Sequence, residues 1–182
     1  RTNFPHFLNF LSSSLALALT LVALRSAVTQ QLLHPTTGIP PLGWRPLAGS
    51  ALLAVVAQCL LGGRMATSWA AQRCLAEGEA CRWLFLHRSA ATPVAGLVVI
   101  FVLVALVAGG WSRRQWPYLL GVLVLVSSQV LLGITTLRLG LDQPLVTVAH
   151  QLVAALLVAV LAALLVRRPP ADSEGPLPVV LD

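Results

Sequence analysis

The stretch Val94–Ala108, VAGLVVIFVLVALVA, carries no charge and no polar side chain. With its flanks it predicts a span over 85–108, since crossing roughly 30 Å of hydrocarbon takes about 20 helical residues. A helix is the natural form, because it satisfies its own backbone groups in lipid without closing into a barrel. Four further stretches read the same way, at about 7–24, 47–66, 118–137 and 145–166. Labelled A to E in chain order, the five predict an all-α polytopic bundle: four helices B to E, with one extra helix, A, in front.

Composition agrees. Of 182 residues, 57% are hydrophobic and 10% charged, with mean hydropathy +0.84, against roughly 45–50% and about 25% in soluble domains. That excludes a water-soluble enzyme, and so much apolar surface excludes a disordered chain. All twelve basic residues are Arg, spread singly or in pairs, so the net charge of +6 reads as membrane orientation and not as a nucleic-acid footprint. The first residue is Arg1, not Met, and the opening apolar stretch lacks the lead-in and cleavage site of a signal peptide. A fragment or processed product is expected.

The connections alternate in charge. Arg25 and Arg45 lie between A and B, Arg113 and Arg114 between C and D, and Arg167 and Arg168 follow E. On the other side Arg73 and Arg82 are balanced by Glu77 and Glu79, and Arg138 by Asp142. Positive charge collects on the cytoplasmic face, so A–B, C–D and the C-terminus are expected inside, and B–C and D–E outside. Trp44, Trp69, Trp83, Trp111, Trp116 and Tyr118 fall near span ends, where amphipathic rings favour the headgroup region. The expected organisation is a transmembrane helix within 1–33, a proline-rich cytoplasmic linker at 34–46, a four-helix unit at 47–168 and a proline-rich tail at 169–182. Pro93 is expected to kink span C.

Spans B and D share a motif: Gln58-Cys59-Leu60-Leu61-Gly62 matches Gln129-Val130-Leu131-Leu132-Gly133. In each case the next span carries a histidine in its first turns, His87 or His150. The chain therefore holds a duplicated helix pair. His6 followed by the apolar run to Arg25 repeats half of the pattern, so A reads either as the last helix of a preceding unit or as a plain anchor with His6 at the surface.

An ionisable group inside a membrane needs a partner. Each histidine alone reads as a neutral imidazole hydrogen-bonded to a neighbouring helix. Repeated at equal depth, the two read as axial ligands to one iron in a bundle. Proton or ion transport is disfavoured because no Asp or Glu lies in any span. Zinc is disfavoured too, as Cys59 lies in an apolar segment and reads as a packing residue.

Cys74 and Cys81 enclose six residues on the side assigned to the exterior, where thiols oxidise. A disulfide there would contribute about 2.5 kcal/mol by the chain-entropy relation; a redox-active pair is the other reading. Arg88, Arg64 and Arg138 lie near the outer ends of spans and are candidates either to anchor haem propionates or simply to snorkel.

Taken in order, a helix ending Gln-x-Leu-Leu-Gly-Gly, an outer loop with two cysteines, Leu86-His87-Arg88, a second Gln-x-Leu-Leu-Gly helix and a His-initiated last helix resemble the C-terminal half of heme A synthase. The resemblance covers about 47–168, and span A resembles the fourth helix of that family's N-terminal half. It implies an eight-helix enzyme of the plasma (inner) membrane, an oxidoreductase that converts heme O to heme A by oxidising a ring methyl to a formyl group. On this resemblance the C-terminal half holds heme b between His87 and His150, with Arg88 at the cofactor, while heme O binds in the N-terminal half, where His6 looks like the last histidine. The partners implied are lipid, haem, heme O synthase and terminal-oxidase assembly. The family's catalytic carboxylate belongs to that other half and no position here matches it, so this chain alone is expected to be inactive. The cysteine spacing is one residue longer than the family's usual. A non-catalytic b-type membrane cytochrome is the alternative function.

Overall fold

A computed structural model of the chain describes residues 38–65, 82–139 and 143–170, together with positions 21, 22, 25, 26, 28 and 29. Five helices are present among them: α1 (Trp44–Met65), α2 (Arg82–Val107), α3 (Gly110–Arg114), α4 (Trp116–Arg138) and α5 (Pro144–Val166). No strand occurs among the described residues. Four helices, α1, α2, α4 and α5, are long and apolar enough to cross a membrane. They correspond to spans B to E, with ends within three residues of those expected. Span A, His6 and the Cys74/Cys81 pair fall outside the described residues, isolated positions of A apart.

Local sequence explains the helix ends. Pro117 and Pro144 stand in the first turns of α4 and α5, where the missing N–H costs nothing. Pro46 does the same in α1, so the helix reaches three residues into the stretch expected to be linker. Between α2 and α3 the chain turns through Gly109 and Gly110, both at positive φ (72° and 50°), a conformation that favours glycine. Pro93 lies inside α2, which continues through it as one helix. The short helix α3 was not among the expected elements. Hydroxyls inside the spans bond back to carbonyls one turn earlier, as in Thr135 to Leu131 (2.9 Å) and Thr136 to Leu132 (2.8 Å), which keeps these polar groups satisfied in an apolar surround.

The helices run up and down. α1 packs on α2 and α5, and α4 packs on α5 and α2, so α2 and α5 face each other across a diagonal. The buried apolar side chains of the helices come from positions 44–55, 98–105, 119–126 and 155–164. On α2 they fall at Val98, Phe101, Val102 and Ala105, one stripe at helical spacing. These positions fill the half of the bundle nearer Trp44.

Trp44 closes that end. Its ring is buried, its Nε1 donates to the Leu164 carbonyl at 3.0 Å, and it meets Phe101 and Trp111 edge-on at 5.3 and 4.9 Å between centroids. The expected headgroup position is therefore corrected for Trp44, which lies at a span end but turns inward. Trp83, Trp116 and Tyr118 remain exposed. Arg167 also turns back onto the bundle, with its guanidinium 3.9 Å above the Tyr118 ring and a hydrogen bond to Gln115 Oε1.

Candidate functional site

The opposite end of the bundle gathers the polar residues of the repeat. Gln58 and Gly62 lie one turn apart on α1, and Gln129 and Gly133 lie one turn apart on α4, so each pair shares a helix face. His87 stands five residues into α2 and His150 six residues into α5, about 8 Å from the helix start at 1.5 Å per residue. Each histidine meets the Gln-Gly pair of the helix before it.

The contact is close in both copies. A Cβ on Gly62 would stand 3.1 Å from His87 Cε1, and one on Gly133 would stand 3.2 Å from His150 Cε1. Glycine at both positions is what lets an imidazole lie against the helix backbone. The glutamine contacts differ between copies. Gln58 Nε2 donates to the backbone oxygen of His87 at 2.7 Å, whereas Gln129 Nε2 lies 3.3 Å from the ring Nε2 of His150.

Among the described residues, four buried side-chain atoms lack any hydrogen-bond partner: His87 Nδ1, His150 Nδ1, Gln58 Oε1 and Gln129 Oε1. All belong to this end, and each hairpin contributes one ring nitrogen and one amide oxygen. An orphaned buried polar atom costs about 1–3 kcal/mol, so four together mark a place where a further partner is called for. The two imidazoles are carried on the diagonal pair α2 and α5, in the first turns of each, at the same end of the bundle. No group of three or more His, Cys, Asp or Glu side chains suited to an ion occurs among the described residues. Two imidazoles alone suit the two axial positions of a haem iron. The donor set fits that group on two counts: one unpartnered buried nitrogen per ring and a glycine cradle behind each ring.

The remaining expected residues are less closely engaged. Arg88 follows His87 and is exposed at the same end. Arg138 is exposed at the end of α4, while the Arg64 side chain, like the cysteine pair, lies outside the described residues. Cys59 is a free, half-buried thiol packed against the apolar core, in keeping with a packing role. Two apolar clefts lie toward the other end, one lined by Trp44, Leu47, Phe101 and Ser112, the other by Leu103, Val104 and Val107.

Sequence reasoning treated Gln58 and Gln129 as markers of the repeat and missed them as partners of the histidines. Their polarity inside spans was the available signal, because an amide in hydrocarbon needs a partner across a helix interface. No family model, curated protein or solved structure matches this chain.

Proposed function

We propose that this chain is the heme b-holding portion of a heme A synthase, a membrane oxidoreductase that converts the methyl of heme O to the formyl of heme A. One observation carries the reading: two imidazoles, presented by the two copies of one hairpin, stand at the same end of a membrane bundle, each with a buried ring nitrogen that has no partner. A haem bound there would supply one-electron transfer.

The chain's own residues have separate tasks in this reading. His87 and His150 would hold the haem iron, one ring nitrogen from each of two opposite helices. Gly62 and Gly133 let those rings seat flush against α1 and α4. Arg88, exposed beside His87, offers a cation to a propionate, a charge-assisted pairing that favours arginine. The apolar core on the Trp44 side bars water from below. The histidine end is assigned to the outside of the plasma membrane and the C-terminus to the cytoplasm, on the charge pattern of the connections. The Cys74–Cys81 disulfide, the substrate-side role of His6, and the partners heme O synthase and oxidase assembly belong to the same proposal.

The test is a reduced-minus-oxidised spectrum of the purified full-length polypeptide, with a heme O to heme A conversion assay on the same sample. A low-spin b-type band with conversion supports the enzyme. The same band without conversion supports the alternative of an electron-carrying cytochrome. Absence of the band removes the haem from both.

A further inference from the structure

The strongest unexplained feature is the pairing of each histidine with a glutamine. A ligating imidazole has two nitrogens: one faces the metal, and the partner of the other fixes both the tautomer and the direction of the ring. For His150 one nitrogen is already engaged. Gln129 Nε2 lies 3.3 Å from its Nε2, while Nδ1 is buried and unpartnered. A carboxamide can donate through nitrogen or accept through oxygen. Only when its oxygen accepts the ring Nε2–H is the nitrogen left over a bare lone pair able to ligate, so the ligating arrangement puts Gln129 Oε1, unpartnered as it stands, where its Nε2 lies. Gln58 holds the other copy differently, by tying the His87 carbonyl at 2.7 Å and so fixing the turn of α2 that carries the ring. Both glutamines keep a buried oxygen in reserve, an acceptor with no donor, in the same hairpin as an imidazole nitrogen with no partner.

Resting on the haem reading above, we propose that Gln58 and Gln129 are the positioning residues of the two histidines, with Gln129 acting on the ring of His150 and Gln58 on the backbone of His87. Gln129 then governs the electronic character of one axial ligand, and Gln58 governs where the other ligand stands. The two copies of one motif therefore have separable effects.

The experiment compares wild-type full-length polypeptide with Gln129→Ala, Gln129→Glu and Gln58→Ala. Haem content, midpoint potential and the low-spin paramagnetic resonance signature are read for each. Gln129→Glu is nearly isosteric and protects the test against misfolding of the Ala variant. Its carboxylate is a stronger acceptor for an imidazole N–H, raises ligand basicity and favours ferric iron. The expected result is roughly a tenfold gain in ferric over ferrous preference, a drop of about 59 mV for a one-electron couple, with haem content kept. Gln129→Ala is expected to change the resonance signature, and Gln58→Ala to lower haem retention several-fold while the potential of the retained haem stays put. If wild type shows the b-type band and all three variants match it in content, potential and signature, the positioning role is overturned and the haem reading stands. If wild type itself shows no band, the haem reading falls and this inference falls with it.

Discussion

At one end of the bundle Trp44, Phe101 and Trp111 lock edge to face and the indole N–H finds the Leu164 carbonyl. At the other end the same four helices bring together two imidazoles and two carboxamides and leave four of their buried atoms unpaired. The first end packs as an apolar core whose indole N–H is paired within the chain. The second concentrates unmet hydrogen-bonding capacity in one place, against the usual pattern that buried polar groups are satisfied. On the proposed reading, stability and binding fall to different halves of the same helices.

This division can be broken by mutation. The largest effect is expected from His87→Ala or His150→Ala, either of which would remove one of the two nitrogens proposed to hold haem and should abolish the low-spin b-type band, as read from reduced-minus-oxidised spectra. A band retained in both single variants would dissolve the functional half of the comparison. Next comes Trp44→Ala, which empties a buried aromatic site and is expected to cost about 3–5 kcal/mol, measured by unfolding in detergent. The absorption maximum of any haem in the folded fraction should stay unchanged, and a shifted maximum would show that the two ends are coupled.

A smaller effect is expected at the cradles. Gly133→Ala and Gly62→Ala place a methyl 3.2 and 3.1 Å from the facing imidazole carbon, an overpacking of about 1–3 kcal/mol that should appear first as weaker haem retention. Gly63 is the control, since a Cβ there meets nothing within 4 Å. Gly63→Ala should leave retention intact, and equal losses at positions 62 and 63 would show that close packing is not the cause. The smallest effect belongs to Arg167→Ala, which removes the cation from the Tyr118 ring and the hydrogen bond to Gln115. About 1 kcal/mol is expected from such a contact, read as a slightly lowered melting temperature.

Much of the fold was legible because lipid is a demanding solvent. The apolar run at 94–108 needs no periodicity to be read as a helix: length and the absence of charge suffice. The histidines were legible through repetition. The short helix α3 was not, because its five residues GWSRR carry neither span-like length nor a readable period. Trp44 was misplaced for a related reason: its position at a helix end was evident, but whether the ring turned out to headgroups or in to Leu164 depends on the rotation of α1.

The amino-acid order by itself determined the solvent of the chain, the four described spans, the duplicated hairpin and the depth of His87 and His150 along their helices. Only the tertiary structure decided that α2 and α5 stand on a diagonal, that each imidazole lies against a glycine, and that Gln58 grips a backbone oxygen while Gln129 approaches a ring nitrogen. The reason is physical. A membrane helix that is apolar on nearly every side carries little angular information about its neighbours, so its rotation and partners are set by close packing between helices, which appears only when all of them are in place.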